Sequence, residues 1–386
     1  MKTLKRFTTL AVSGLVGTGL LLVPPSTSSA KTITPNPVVK STALATPFNL
    51  AFTRHGVLVA DGTQNLVGKL AANGSITPIA TNQPGASGVA VGRDGRTMAF
   101  TTTVTDPATF ENSASGLNVW GVRGQRTFID TLAYETANNP DSVNSYGVTN
   151  PSQCVTDALT AAHFPVSYTG QVDSHAYSVA AYGRGWVVAD AGANALLSIG
   201  PRGAIRTLAV LPPQPAQITA EAATALGLPD CVVGVTYAFE PVPTDVEVGR
   251  DGWLYVTTLP GGPESAALGA RGKLWRVNPW SGKATELAGG FLGATNLALG
   301  THGRIYVAEL FGGKISVVKG STKKDFLTLP GVVGVETDTR GQLWATTLGN
   351  QDPPAPGTIV KINTRHTWKG KVVSTLKYKA ATSHGR

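Results

Sequence analysis

Residues able to do chemistry are sparse in this chain, and they fall at equivalent places. Six short alternating runs begin at Asn49, Gly88, Ser178, Asp245, Asn296 and Gly334. If those starts converge on one axis, oxygens from Asn49, Asp245 and Asn296 face one another. A hard cation such as calcium takes several carboxylate and carbonyl oxygens in a tolerant geometry, which makes these three candidate metal ligands. The competing use of Asn and Asp at a strand start is to cap the entering turn by bonding their own backbone. A second set closes the run that follows: Asp61, Thr101, Asp190, Thr258, Glu309 and Thr347, acid and threonine in strict alternation. Such acids commonly bond turns, but three on one face, Glu309 included, would also suit a cation or a sugar hydroxyl. His175, in "QVDSHAYS", stands just before the third run. An imidazole titrating near neutrality there is a candidate general base toward a metal-bound substrate. Tyr237, Phe239 and Glu240, in "VTYAFEP", are candidates for lining a ligand pocket, with Glu240 also able to reach toward a cation. Aromatic residues in such a segment equally serve to anchor a long loop.

The elements that must position these groups repeat. "NLAFTRHGVLVAD" (49–61), "GVAVGRDGRTMAFT" (88–101), "SVAAYGRGWVVAD" (178–190), "DVEVGRDGWLYVTT" (245–258), "NLALGTHGRIYVAE" (296–309) and "GVETDTRGQLWATT" (334–347) share one grammar. Each reads as strand, Gly-containing turn, strand. Most are followed by a third alternating run, such as "GKLWRVNP" or "GTIVKINT", and a fourth such as "KATELAGG". Period-2 alternation is what a four-stranded antiparallel sheet asks of its faces. One such sheet cannot bury both faces, whereas several packed around an axis can. The expectation is an all-β fold, a single six-bladed β-propeller of the NHL-like kind over residues 31–380, with 381–386 as a basic C-terminal tail. Two segments compete to complete the last blade, "PVVKSTALATP" (37–47) and "KVVSTLKY" (371–378). The long segments 134–176 and 212–243 enter first strands, and 102–116, 259–272 and 348–357 lie between second and third strands. In a meander all of these fall on one face, where function is expected.

Residues 1–30 read as a secretory leader: Lys2, Lys5 and Arg6, then the apolar "TTLAVSGLVGTGLLLV", then "STSSA" before a cut. No later run is long and apolar enough to span a bilayer. The formal charge is +9, and residues 361–386 hold Lys361, Arg365, Lys369, Lys371, Lys377, Lys379 and Arg386 with no acid. That basic end suits solubility or an anionic envelope polymer. Nucleic acid is not an expected partner, because export and the lack of interleaved basic and aromatic residues argue against it. Cys154 and Cys231 are the only two cysteines, so an exported chain is expected to pair them. No G-x-S-x-G elbow, H-E-x-x-H helix or EF-hand loop is present, and "GARGKL" (269–274) lacks both the spacing and the terminal Ser or Thr of a phosphate loop.

Three stretches, "AYSVAAYGRGWVVADAGANALLSI", "DCVVGVTYAFEPVPTDVEVGRDGWLYVTTLPGG" and "GGFLGATNLALGTHGRIYVAELFGGKISVV", resemble the ScyD/ScyE family of exported proteins, a likeness that covers nearly the whole mature chain. The resemblance implies an NHL-like six-bladed propeller and leaves the biochemical role blank. The strand-start residues are also similar to the axial metal site of gluconolactonase- and regucalcin-type propellers, which implies calcium ligation by Asn49, Asp245 and Asn296. The leading functional expectation is an extracytoplasmic scaffold that binds a small molecule, glycan or protein. The alternative is a metal-dependent hydrolase or lyase acting on lactones or sugars. A purely structural role comes third.

Overall fold

The alternation that opens each repeat becomes a pair of antiparallel strands joined by a tight glycine turn. In the fourth repeat, Pro243–Val248 pairs with Leu254–Thr258, in register from Asp245 opposite Thr257 to Val248 opposite Leu254. The turn between them closes through the Gly249 amide on the Trp253 carbonyl (2.8 Å), and Gly252 at φ 80° takes the left-handed position that other residues resist. The computed structural model describes residues 35–263, 266–351 and 354–363.

Six four-stranded sheets follow the repeats. The first comprises Pro47–Thr53, Gly56–Asp61, Leu66–Leu70 and Ile76–Ala80, and the second Val89–Val91, Met98–Thr105, Asn112–Trp120 and Arg126–Asp130. The third is built from Ala176–Tyr182, Gly185–Asp190, Ala195–Ile199 and Ile205–Val210. Gly272–Val277 and Ala284–Phe291 complete the fourth. The fifth runs through Ala294–Leu299, Arg304–Glu309, Lys314–Lys319 and Thr322–Thr328. The sixth takes Val332–Thr337, Leu343–Thr347 and Gly357–Asn363 from the end of the chain and Asn36–Leu44 from its beginning.

Adjacent sheets share their cores. Val67 and Ala60 of the first meet Phe100 of the second, Leu117 of the second meets Val188 and Leu197 of the third, and Leu196 of the third meets Val256 of the fourth. Leu274 packs with Leu297 and Val307 of the fifth, and Ile315 with Val335 and Val360 of the sixth. Leu50 and Val59 of the first sheet then meet Trp344 and Ile359 of the sixth, so the series returns to its start. Each sheet thus buries both faces, which none could do alone.

The N-terminal candidate fills the open place in the sixth sheet: Asn36–Leu44 runs antiparallel to Gly357–Asn363, with Asn36 opposite Asn363 and Leu44 opposite Gly357. Its rival, 371–378, lies outside the described residues, as do the expected leader and most of the basic tail. The segment 102–116 behaves differently from a loop. The second and third strands of the second sheet simply continue, with Thr103 opposite Ser115 and Thr105 opposite Asn112.

The two longest insertions fold together. Ser145–Gly147 and Ser167–Thr169 from one pair with Gln214–Gln217 and Thr236–Phe239 from the other in a seventh four-stranded sheet, ordered Ser167–Thr169, Ser145–Gly147, Thr236–Phe239, Gln214–Gln217. Short helices complete this cap. Ser152 Oγ accepts the Val155 amide at the head of Gln153–Ala161 (3.3 Å), and Thr219 Oγ1 accepts the Ala222 amide at the head of Ala220–Ala225 (3.1 Å). Val155, Leu159, Ile218, Ala222 and Val232 form its apolar centre, and Cys154 is disulfide-bonded to Cys231. No helix among the described residues is long and apolar enough to cross a membrane.

Candidate functional site

The strand-start residues do come together at equivalent positions, and a backbone irregularity aims them. In five of the six sheets the register shifts immediately before the strand-start residue: between Pro47 and Asn49, Ala176 and Ser178, Pro243 and Asp245, Ala294 and Asn296, and Val332 and Gly334. A bulge of this kind re-aims the side chain that follows it. Here it turns each side chain toward the first strand of the next sheet. Asn49 Oδ1 accepts the Val89 amide (3.4 Å), Asp245 Oδ2 the Leu297 amide (2.8 Å) and Asn296 Oδ1 the Val335 amide (2.7 Å). Ser178 Oγ donates to Asp245 Oδ1. Where the position is glycine, the backbones themselves meet: a Cβ on Gly88 would stand 2.8 Å from Ser178 Cα, and one on Gly334 would stand 2.7 Å from the Phe48 carbonyl.

The oxygens proposed for a cation are therefore engaged in joining sheets. Asp245, the one carboxylate of the set, is 1 % exposed, accepts a hydrogen bond on each oxygen, and is pushed up to about 6 by burial against those bonds. Calcium needs six or more oxygens at short range, and this donor set does not fit it. Among the described residues, no three His, Cys, Asp or Glu side chains gather with metal-site spacing.

The second set does equally regular work. Asp61 accepts the Ala45 amide (2.7 Å) and the Gln64 amide (2.9 Å). Asp190 accepts from the His175 amide (2.7 Å), the Ala193 amide (3.2 Å) and Ser174 Oγ (2.6 Å). Burial raises its carboxyl to about 6 even so. Glu309 accepts the Leu292 amide (2.7 Å) and the Ser316 hydroxyl. Each acid ties the loop entering its sheet to the end of the second strand. The intervening threonines also bond inward, Thr101 Oγ1 accepting the Gly88 amide (2.7 Å) and Thr258 Oγ1 accepting from Gln214 Nε2 (2.7 Å).

His175 lies beside Tyr177, ring centres 5.6 Å apart, and Tyr177 in turn lies 5.9 Å from Phe48. Desolvation pushes its imidazole below the ordinary histidine range, with Asp173 opposing. Tyr237 and Phe239 belong to the cap's apolar centre. Their rings are 4.6 Å apart, and the Tyr237 hydroxyl donates to the Pro165 carbonyl (2.8 Å). Glu240 is 4 % exposed, and its charge, after desolvation, helps push the Tyr237 phenol up. The cap meets the sheets at Val242, whose φ of 48° is a strained conformation for a β-branched residue. Asn194 Oδ1 holds its amide (3.0 Å), and Asn194 Nδ2 reaches Asp141 Oδ2 inside the cap (2.8 Å).

Three residues outside the sequence-level set stand out. Glu247 and Glu336 are bonded to each other across the inner strands of the fourth and sixth sheets, and Glu336 also accepts the Thr337 amide (2.5 Å). Burial pushes the Glu336 carboxyl up to about 8 and Glu247 well above its ordinary value, with mutual repulsion adding to the latter. The aligned repeats carried the signal: two residues after each strand start the other four copies have Ala51, Ala90, Ala180 and Ala298. Arg271 carried no such signal, because it sits in a connection that does not repeat.

No protein-family model matches the chain, and no curated protein matches it. Solved structures do. A gluconolactonase from Xanthomonas campestris is similar at 10 % identity and a TM-score of 0.51, over 85 % of this chain and 90 % of that one. The soluble aldose sugar dehydrogenase of Escherichia coli in its apo-form is similar at 12 % identity and a TM-score of 0.51, over 86 % of this chain and 100 % of that one. The PQQ-bound aldose sugar dehydrogenase of Streptomyces coelicolor gives 13 % identity and a TM-score of 0.50 over the same shares. At such identity the likeness concerns architecture alone, and the architecture it gives this chain is the β-propeller.

Proposed function

We propose that this protein is an exported six-bladed propeller scaffold that captures a small molecule, a glycan or a protein on its capped face. The likeness to the ScyD/ScyE family is part of the same reading. One observation carries it: the axial Asn49, Asp245 and Asn296 oxygens are spent on amides of the next sheet, so the position where a hydrolase of this shape would hold its cation does structural work instead. The chain's individuality lies in the cap, built from two unrepeated insertions and stapled by a disulfide. Rigid frames with elaborated loops are the usual arrangement for recognition. The leader-like N-terminal sequence and the disulfide support a location outside the cytoplasm for that recognition, where the basic C-terminal end would meet anionic envelope polymers.

The test is thermal unfolding after EDTA, with and without calcium, alongside an assay for lactone hydrolysis. A ligand held only by the folded state adds about 2.7 kcal/mol at a hundredfold excess over its Kd, a readable shift. The scaffold reading expects no calcium shift and no turnover. A calcium-dependent rise that disappears in Asp245→Asn, together with lactone turnover, would replace it with the enzyme.

A further inference from the structure

Each of the six sheets is antiparallel throughout, so its turns from first to second strand and from third to fourth strand lie at one end of the ring, and the cap lies at the other. The end away from the cap is basic. All six turns from first to second strand carry or adjoin an exposed arginine: Arg54, Arg93, Arg184, Arg250, Arg304 and Arg340. Arg123, Arg202 and Lys283 add to it from turns between third and fourth strands. Neighbouring turns lie close. A Cβ on Gly95 of the second sheet would stand 3.6 Å from Arg54 Nη2 of the first, and one on Gly341 of the sixth would stand 3.0 Å from Thr301 Cγ2 of the fifth. The chain leaves the sixth sheet at this end too, at Asn363 opposite Asn36, and residues 364–386 hold six Lys or Arg and no acid.

Three acids share the first-to-second turns, and each bonds back into its own sheet. Asp94 accepts the Arg96 and Thr97 amides (2.9 and 2.8 Å), Asp251 the Trp253 amide (3.2 Å) and the Arg276 guanidinium (2.9 Å), and Asp338 the Arg340 and Gln342 amides (2.9 Å each). Arg54, Arg93, Arg184, Arg250 and Arg304 form no ion pair among the described residues. The only acids outside those residues, Glu264 and Asp352, stand in sequence between second and third strands, in connections at the other end of their sheets. The capped end is the reverse: its two insertions, 131–175 and 211–242, hold seven acids and not one Lys or Arg. Arg271, nearby, is turned into the cap, its guanidinium 4.3 Å over the Phe239 ring and its Nη1 donating to the Gly261 carbonyl (3.0 Å). Two large apolar side chains stand among the cations of the turn end. Trp280 is 75 % exposed, in a turn pinned by Asn278 Oδ1 on the Trp280 and Ser281 amides (2.9 and 3.1 Å), and Val122 is 56 % exposed beside Arg123. An indole with cationic neighbours is most favoured where lipid headgroups meet water.

We propose that the turn end of the ring docks face-on onto an anionic lipid bilayer. Arginines spaced all round a ring reach their partners together only on a plane, whereas a polymer thread touches one arc. Guanidinium groups bond phosphate oxygens in bidentate pairs, and Trp280 and Val122, on the fourth and second sheets, enter the headgroup layer from two sides. The same surface repels the acidic cap, which fixes the orientation. Docking of this kind goes beyond the scaffold reading and does not depend on it: the cap faces away from the membrane, whatever it captures.

The test is co-sedimentation of the purified chain with vesicles of phosphatidylcholine containing about one-third phosphatidylglycerol. The expected result is saturable binding to these vesicles, none to phosphatidylcholine alone, and release when salt rises from about 0.1 M to about 0.5 M. Two triple variants divide the ring and leave the tail intact: Arg54→Gln, Arg93→Gln, Arg184→Gln in the first three sheets, and Arg250→Gln, Arg304→Gln, Arg340→Gln in the last three. Each should weaken binding at least tenfold, and Trp280→Ala several-fold, with unfolding midpoints that match the parent's. Binding unchanged in both triples overturns the proposal and assigns the attraction to the tail. Loss in one triple alone overturns face-on docking in favour of a local groove. Equal binding to neutral vesicles, or no binding to the anionic ones, also overturns it. Long-chain polyphosphate bound as tightly as the vesicles, with Trp280→Ala without effect, would make the partner a soluble polyanion instead.

Discussion

The ring of six sheets and the cap above it are held together by different means. In the ring, short polar side chains recur at fixed positions and each ties one sheet to the next: Asn49 to Val89, Asp245 to Leu297, Asn296 to Val335. The cap has no repeat. A small apolar centre, capped helices and the Cys154–Cys231 disulfide hold it, and it meets the ring through a strained Val242 and a chain of polar bonds at Asn194. Repetition lets one strand-start position per sheet serve each joint, through a side-chain oxygen at Asn49, Ser178, Asp245 and Asn296 and through close backbone contact at Gly88 and Gly334. On the scaffold reading proposed above, recognition falls to the part that occurs once.

If the cap is a separately held unit, removing its staple should open it without dissolving the ring. A crosslink spanning 77 residues contributes about 4 kcal/mol in the chain-entropy limit. The double change Cys154→Ser, Cys231→Ser is expected to give early protease cuts within 131–175 and 211–242 while the six sheets survive in the remaining fragments. Loss of the sheets at the same denaturant concentration as the cap would erase the distinction. Asp190 tests the joint between the two regions, since it fixes the Ser174–His175 segment that leaves the cap to enter the third sheet. Asp190→Ala strands one hydroxyl and two amides, and should cost about 3 kcal/mol in denaturant unfolding. A loss below about 1 kcal/mol would mean that the joint is held elsewhere.

How much of this was legible in the sequence follows the same division. The repeats announced the sheets because alternation and glycine turns are local properties, and the strand-start residues could be picked out by their position in each copy. Their role could not, because a side-chain oxygen facing a cation and one facing the next sheet's amide look identical in a single chain. What decides is the bulge one or two residues earlier, which depends on pairing with the neighbouring strand. The cap was read as two loops, because Ser145–Gly147 finds its partner only at Thr236–Phe239, some ninety positions along the chain. Tyr237 and Phe239 leave two uses open in the sequence, lining a pocket or anchoring a long loop, and in the structure they lie in the cap's apolar centre. Glu247 and Glu336 were visible in principle as acids standing where every other copy has alanine.

That pair sharpens the comparison from within the ring, since it is the one place where the inner strands carry acids with few donors around them. Asp245 adds a third negative charge nearby, acting on both carboxyls. With folded-state pKa values raised, Glu336 to about 8, the pair's contribution is fully present below the unfolded value near 4.5 and is lost as pH rises through the folded one. Stability should therefore fall between about pH 5 and pH 8, by roughly 2 kcal/mol after discounting for the coupling of the two sites. Glu336→Gln should flatten that slope and leave the variant more stable than the parent at pH 8. A parent whose unfolding midpoint is level across this interval would show that the two carboxyls are solvated enough to ionise freely.

The smallest effect is the most discriminating one. Asn296→Ala removes a single 2.7 Å bond to the Val335 amide and leaves a buried donor behind, a loss of about 1 kcal/mol. The magnitude alone does not separate a stitch from a ligand, but its calcium dependence does. A stitch is lost equally with EDTA or calcium present, and Asn296→Asp, which keeps an acceptor, should recover most of the stability in both. A ligand to a cation behaves oppositely: the alanine variant would differ from the parent only when calcium is present, and the aspartate variant would gain from calcium more than the parent does. Two unfolding curves, with EDTA and with calcium, on each of three proteins therefore decide whether the axis of this ring is a joint or a site, and the hydrogen bond to Val335 predicts a joint.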